Sequence, residues 1–147
     1  MKDRFTDFGL LLLRVLVGLA LMYHGWLKVV HGVPGFAEGI TKMGQPFDSA
    51  PLLFAWLSTV TELLGGFFLL LGLWTRYAAI ALIINLSVAA FVRNAGNPII
   101  DPSTTATMEL ALTYLTMVAA IFIMGPGHVS VDGSRGGKRS APKKPKK

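Results

Sequence analysis

Four long runs of apolar residues constrain this chain more than any other feature of its sequence. They cover about residues 8–30, 51–73, 77–95 and 107–124. A helix needs about 20 apolar residues to cross the hydrocarbon layer of a bilayer, and each run approaches or exceeds that length. The helices of a soluble bundle would show a polar stripe facing water, but GGFFLLLGLW (residues 65–74) has none. The sequence therefore predicts an all-α fold, an integral membrane four-helix bundle, within residues 1–132.

The distribution of basic residues predicts the orientation of the bundle. With four spans, both termini and the short turn near Arg76 lie on the same side of the membrane. That side carries eleven of the fourteen Lys and Arg residues: Lys2, Arg4, Arg14, Arg76, Arg135, Lys138, Arg139, Lys143, Lys144, Lys146 and Lys147. The other side carries Lys28, Lys42 and Arg93. Because basic residues collect on the cytoplasmic side, we predict that both termini are cytoplasmic.

The connections between the runs also carry information. The turn at residues 74–76 is so short that the second and third spans are expected to be antiparallel neighbours. Within the first long loop, the segment FAEGITKMG (residues 36–44) is expected to form a short interfacial helix.

The last fifteen residues, 133–147, differ from the rest of the chain. Their sequence, GSRGGKRSAPKKPKK, is rich in Gly, Pro and Lys and predicts a disordered basic cytoplasmic tail. Attraction to anionic lipid head groups and a simple orientation signal remain equally open as its role. No folded basic face with aromatic platforms accompanies the tail, so the net charge of +6 does not indicate nucleic-acid binding.

Isolated ionisable residues interrupt the apolar runs. Arg14 and His24 lie in the first run, Glu62 in the second and Glu109 in the fourth. An ionisable side chain inside a span costs a few kcal/mol, so it is expected to face the bundle and to have a partner. Small residues lie beside these charges and predict close helix packing on the same faces; they are Gly18, Gly25, Gly65 and Gly66.

Depth along the helices suggests how these residues pair. Arg14 and Glu62 differ in depth by about five residues, or roughly 7.5 Å of helical rise, so we expect them to form an ion pair. A second cluster is expected in the outer half of the bundle. It would combine the ionisable residues His24, Lys28, Arg93 and Glu109 with the aromatic residues Tyr23, Trp26 and Tyr114.

Two interpretations of the polar residues remain open. In the functional one, an outward-facing pocket binds a head group, a quinone or a small anion and relays protons. Its candidate catalytic residues are His24, Glu62 and Glu109, and its candidate ligand-binding residues are Arg14, Lys28, Tyr23 and Arg93. In the structural one, Arg14 and Glu62 only fix the helix register, while Lys28 and Arg93 reach to the membrane interface.

Several cofactors are not indicated by the sequence. The chain has no Cys, which removes thiolate metal sites and thiol redox chemistry. His24 and His31 share one helix and cannot bracket a porphyrin, and His128 belongs at the opposite membrane face. No haem, flavin or metal site is identifiable.

Three segments together resemble the DoxX family of small bacterial membrane proteins. They are LLLRVLVGLALMYHGWLKV (residues 11–29), TELLGGFFLLLGLWTRYAA (61–79) and GPGHVSVD (125–132). The combination R-x3-G-x5-HG-x2-K with E-x2-GG-x5-G-x3-R is more specific than either part alone. It assigns the following residues to the family motif: Arg14, Gly18, His24, Gly25, Lys28, Glu62, Gly65, Gly66, Gly72 and Arg76.

The resemblance implies a four-helix bundle in the bacterial cytoplasmic (inner) membrane and leaves two functions open. Some relatives resemble a subunit of thiosulfate:quinone oxidoreductase, and others are linked to oxidative-stress defence. The first hypothesis is therefore a quinone-interacting redox subunit, with quinone as the implied cofactor. The second is a non-catalytic membrane adaptor or assembly factor that recruits a partner protein. Contact with the lipid bilayer is common to both, and a membrane oligomer is compatible with both.

Overall fold

The computed structural model describes residues 2–100 and 108–136, and within these ranges the chain is helical with short turns. The six α-helices are α1 (Lys2–His31), α2 (Val33–Thr41), α3 (Pro51–Leu71), α4 (Thr75–Val88), α5 (Glu109–Met124) and α6 (Val131–Gly136). A 3-10 turn, Phe47–Ser49, precedes α3, and a π segment, Ala89–Arg93, continues α4. The all-α prediction is confirmed.

The long helices coincide closely with the apolar runs of the sequence. Three helical stretches are long and apolar enough to cross a membrane: Arg4–His31, Pro51–Leu71 and Thr75–Arg93. The fourth, α5, is apolar but has only 16 residues, about 24 Å of helix. Large apolar side chains cover the outside of the bundle, among them Leu16, Ile84 and Ile123, which are 59%, 61% and 77% exposed. Such an apolar exterior is what a bilayer accommodates, and the structure is that of a helical membrane bundle.

Each helix boundary has a local cause. Gly32, at φ 95°, separates α1 from α2, and Pro51 occupies the first turn of α3. Gly72, at φ 64°, ends α3 in the left-handed conformation, and the Leu73 N–H donates to the Phe68 carbonyl at 3.0 Å. This arrangement is a Schellman-type helix end, which reverses the chain within a few residues. Helices α3 and α4 are consequently antiparallel neighbours, as the short turn predicts.

The core lies between α1, α3, α4 and α5. Its fully buried members include Leu21, Leu69, Leu82 and Ile121. A smaller apolar cluster joins the buried face of α2, formed by Val33, Ala37 and Ile40, to Ala55 of α3. The predicted short helix is thus present as α2, three residues earlier than expected, and it packs across the start of α3.

The two ends of the bundle are distinct. We call the end that holds the start of α1, the α3–α4 turn and α6 the terminal end. Its segments are joined by hydrogen bonds from the His128 N–H to Asp7 Oδ1 at 3.1 Å and from the Asp132 N–H to the Gly72 carbonyl at 2.9 Å. The opposite end, which holds α2 and the π segment, is the α2 end. Both described termini of the chain therefore lie at one end of the bundle.

Helix α6 extends into the region predicted to be a disordered tail. It covers residues 131–136, so residues 133–136 are helical rather than disordered. The Gly133 N–H donates to Ser130 Oγ at 2.9 Å, and the Ser134 N–H donates to the Ser130 carbonyl at 3.0 Å. The rest of the predicted tail lies outside the described residues.

Candidate functional site

Glycines bring α1 and α3 into close contact and so position the polar residues of both helices. A Cβ atom on Gly18 would lie 2.7 Å from the Gly66 carbonyl oxygen, and one on Gly66 would lie 2.7 Å from the Gly18 carbonyl oxygen. Farther along, a Cβ atom on Gly25 would lie 3.1 Å from the Thr59 carbonyl oxygen. Gly65 makes room for Leu82 of α4 in the same way, at 2.9 Å. All four predicted packing glycines therefore lie at helix–helix contacts.

An ion pair between Lys28 and Glu62 joins α1 to α3 at the α2 end. Lys28 Nζ lies 2.7 Å from Glu62 Oε1, and it also donates to Ser58 Oγ at 2.9 Å. Asn85 Nδ2, on α4, donates to the same Glu62 oxygen at 3.1 Å. Glu62 is 6% exposed, and its other oxygen, Oε2, is buried without a hydrogen-bond partner among the described residues. Three spanning helices thus meet at one carboxylate that still has an unused acceptor.

The predicted ion pair between Arg14 and Glu62 is wrong. The Arg14 guanidinium lies at the terminal end, where Nη2 donates to the Val129 carbonyl oxygen. Side chains on a helix incline toward its N-terminus. In the antiparallel pair of α1 and α3, Arg14 therefore inclines away from Glu62, whereas Lys28 and Glu62 incline toward each other.

Arg14 instead belongs to a second polar cluster at the terminal end. It is 1% exposed and lies against Gly72, where any side chain would overlap its guanidinium. The carboxylate of Asp132 provides an opposite charge nearby. Asp132 accepts hydrogen bonds from the Trp74 N–H at 3.1 Å, the Thr75 N–H at 2.9 Å and Thr75 Oγ1 at 3.0 Å. These contacts cap the start of α4 and stabilise Trp74 at its positive φ of 47°.

A cavity of about 770 Å³ opens beside the Lys28–Glu62 pair. Its polar lining includes His24, Lys28, Glu62, Asn85 and Tyr114, and most of the remaining lining is apolar. The His24 and Tyr114 rings meet edge to face, with centroids 5.6 Å apart. A mostly apolar cavity with a few convergent polar groups is the usual form of a small-molecule site. The cavity is therefore the candidate functional site.

Phe36 of α2 lines both the cavity and a smaller pocket beside it. Lys28 Nζ lies 4.4 Å from the Phe36 ring centroid, and the Arg93 guanidinium lies 4.8 Å from it. The smaller pocket measures about 340 Å³, and its lining includes His31 and Arg93 as well as His24 and Lys28. Basic residues therefore surround this mouth of the site.

The structure separates the other predicted site residues from the cavity. Glu109 is exposed at the first position of α5, and Tyr23 is 61% exposed on the outside of α1. Neither residue lines the cavity, and Arg14 lies at the terminal end. Arg93 lines the cavity rim but is largely exposed. Of the predicted residues, the cavity thus gathers His24, Lys28, Glu62 and Arg93.

Asn85 was not among the predicted site residues, although the structure places it against Glu62. It is the amide in the middle of the third run, whereas Asn94 lies at the end of that run, and this central position was the available signal. Ser58, the hydroxyl that accepts from Lys28, lies one helical turn before Glu62 on the same face. Within the described residues, no group of three or more His, Asp or Glu side chains could hold a metal ion.

Taken together, the apolar helices, the glycine contacts and the charged cavity define a small helical membrane protein with a polar site between its spans. The DoxX family model matches residues 9–95, more than half of the chain, so this protein belongs to the DoxX family. The chain is similar to a Haemophilus influenzae (strain Rd) protein described only as "Uncharacterized protein". The two are 29% identical over 136 residues, covering 88% of this chain and 92% of the relative. No solved structure matches the chain.

Proposed function

We propose that this DoxX protein is a quinone-interacting redox subunit that binds the quinone ring in the cavity between its spans. One observation carries this proposal: the Lys28–Glu62 pair, with an unused carboxylate oxygen, lines a cavity whose other lining residues are mostly apolar. A quinone likewise has a polar and an apolar part, since it combines a flat apolar ring with two carbonyl oxygens that accept hydrogen bonds. The resemblance to subunits of thiosulfate:quinone oxidoreductase supports the same choice.

Side chains of the cavity can form hydrogen bonds with the carbonyl oxygens of a quinone ring. Lys28 Nζ and Asn85 Nδ2 are donors that point toward one region, and His24 supplies a ring nitrogen on the neighbouring face. The Tyr114 ring, edge-on to His24, provides an aromatic wall. Each donor is already fixed by packing or hydrogen bonds, which lowers the entropic cost of binding a ligand.

Glu62 is the residue best placed to handle protons. A quinone takes up two electrons and two protons when it is reduced, so its site needs a group that can hold a proton beside the ring. Glu62 Oε2 is buried and unpartnered among the described residues, while Lys28 and Asn85 contact the other carboxylate oxygen. The electrons come from a reduced donor, which in the resembling oxidoreductases is thiosulfate.

Binding in lipid nanodiscs tests the proposal directly. The purified chain is titrated with a short-tailed benzoquinone, alongside the Lys28→Met and Glu62→Gln variants. Lys42→Met, which removes an exposed lysine just after α2, is the matched control. We expect the unmodified chain and the control to bind equally and both site variants to bind at least tenfold more weakly. Absence of binding by the unmodified chain contradicts the proposal.

A second assay addresses turnover. The same nanodiscs are mixed with quinone and either thiosulfate or sulfide, and quinol formation is followed by absorbance. Activity in the unmodified chain and in Lys42→Met, with loss in Glu62→Gln, supports a redox subunit.

If His24→Phe leaves cellular function unchanged while deletion of residues 137–147 abolishes it, the chain acts as an adaptor instead.

We also propose that the protein resides in the bacterial cytoplasmic membrane with both termini in the cytoplasm, so that the α2 end faces outward. The excess of basic residues at the terminal end supports this orientation. Because the chain has no Cys, single cysteines can report it. In intact cells, a membrane-impermeant maleimide should label Lys42→Cys and not Lys147→Cys. The reverse pattern overturns the orientation.

A further inference from the structure

Exposed apolar side chains of α3 and α4 line one side of the cavity, and we call this side the groove between α3 and α4. Among its lining residues are Leu57 of α3 and Ala81 and Ile84 of α4. Leu57 is 53% exposed and Ile84 is 61% exposed, while Ala81 is also exposed. Side chains that border the cavity and are also open to the exterior form a rim. This rim lies on two spanning helices, where the exterior is lipid.

Each of the two helices places a polar residue inside the opening and an apolar residue beside it on the outside. On α3, Ser58 bonds to Lys28, and Leu57 lies one position earlier, about 100° around the helix. On α4, Asn85 bonds to Glu62, and Ile84 again lies one position earlier. On each of these helices, the side chains that line the opening therefore change from hydrogen-bonding to apolar between adjacent positions.

Two other sides of the cavity are poorly suited to a hydrocarbon chain. On the membrane-surface side, α2 and the 3-10 turn cover it with Ile40 and Phe47, and the cluster around Ala55 fixes α2 in place. The mouth at the smaller pocket is lined by basic residues that include His31 and Arg93. Burying hydrocarbon beside those charges would remove them from water at a cost, whereas the groove between α3 and α4 imposes no such cost.

We propose that the ligand of this cavity is loaded sideways from the bilayer through the opening between α3 and α4. Its polar ring lies beside Lys28 and Asn85, and its hydrocarbon tail rests in the groove formed by Leu57, Ala81 and Ile84. The ligand class is thus a lipid-soluble quinone with a long tail rather than a water-soluble ring. This inference rests on the proposed function for the identity of the ring, and it adds the route and the residues that select for the tail.

A removable block on the rim tests the lateral route. Because the chain has no Cys, Ile84→Cys carries the only thiol of that variant and can be modified with a bulky apolar methanethiosulfonate. Leu19→Cys is the matched control, since Leu19 is a 50% exposed leucine on α1 that does not line the cavity. Each variant is reconstituted in nanodiscs and titrated with a tail-free benzoquinone and with one bearing a ten-carbon tail.

Modification of Ile84→Cys should weaken binding of the tailed quinone at least tenfold and that of the tail-free ring less than twofold. Reduction of the mixed disulfide should restore binding, and modification of Leu19→Cys should change neither affinity. If the block affects neither quinone or weakens both equally, the lateral route is wrong while quinone binding stands. If the unmodified chain binds neither quinone, both the route and the proposed function are wrong.

Discussion

The two ends of the bundle each bury a basic side chain inside a span, but they use it differently. At the terminal end, Arg14 is enclosed by Gly72, the Val129 carbonyl and the charge of Asp132. At the α2 end, Lys28 is partly exposed and pairs with Glu62 beside an open cavity of about 770 Å³. The first charge joins segments of the backbone, and the second borders a space that can admit a ligand.

This contrast shows that a charge inside a membrane span does not by itself identify a functional site. Arg14 and Lys28 occupy the same helix and look equivalent in the sequence. What separates them is their surroundings: backbone and a tight glycine turn around one, and an apolar cavity beside the other. Substitutions at the terminal end should therefore change stability, whereas those at the α2 end should change ligand binding.

The largest loss of stability is expected for Arg14→Met. The substitution leaves the Val129 carbonyl without the donor from the buried Arg14 and removes the positive charge beside Asp132. We expect the free energy of unfolding to fall by about 4 kcal/mol. Titration with SDS in mixed micelles measures it, with Arg4→Met, an exposed arginine on the same helix, as the control. If Arg4→Met lowers the free energy of unfolding as much as Arg14→Met does, the stabilising role assigned to Arg14 is wrong.

Glu62→Met comes next, with an expected loss of about 3 kcal/mol, because it leaves Lys28 without a counter-charge. Lys28 keeps Ser58 as a hydrogen-bond partner, so the loss is smaller than for Arg14. The double variant Lys28→Met/Glu62→Met should recover to within about 1 kcal/mol of the unmodified chain, since paired apolar residues replace the paired charges. It should still fail to bind quinone. Recovery of binding together with stability would show that the pair is only structural.

Gly18→Ala should cost about 2 kcal/mol, because its Cβ atom would lie 2.7 Å from the Gly66 carbonyl oxygen and would force α1 away from α3. Gly9→Ala is the matched control on the same helix, where nothing lies within 4 Å of the added atom. That control should gain up to about 1 kcal/mol from helix propensity. The same SDS titration compares the two, and a loss in Gly9→Ala would contradict the packing explanation.

The smallest effect on stability is expected for His24→Phe, below about 0.5 kcal/mol, because a ring of similar size keeps the edge contact with Tyr114. Quinone affinity should nevertheless fall about tenfold, the loss of roughly one hydrogen bond. Parallel SDS and quinone titrations separate the two effects. A variant that loses stability and retains full affinity would place His24 with the structural residues.

The helices could be predicted from the sequence because apolar length dominates everything else in a span. The predicted second run, residues 51–73, and α3, Pro51–Leu71, differ by two residues at one end. Gly18 and Gly25 of α1 likewise predicted close helix packing, and both lie against α3. The length of an apolar helix and the positions of its glycines are properties of a single segment, so both can be read directly from the sequence.

Side-chain partners were harder to predict, because they depend on direction as well as depth. Rise along the helix allowed an Arg14–Glu62 pair, but the tilt of antiparallel side chains favours Lys28. Tyr23 precedes His24 by one position and is thereby turned about 100° toward the exterior. Glu109 interrupts the fourth run in the sequence, yet α5 begins at that residue, so its carboxylate is exposed at the helix end.

The segment that follows α5 has a consequence for how the chain is made. Residues 128 to 132 bind Asp7 near the start of α1, Arg14 in its middle and Thr75 at the start of α4. These positions are synthesised long before the segment that holds them. A nascent chain therefore contains its apolar helices before it contains the segment that links them. The cap on α4 can form only after Asp132 has been synthesised. The terminal end can therefore be completed only after translation has passed α5 and the segment that follows it.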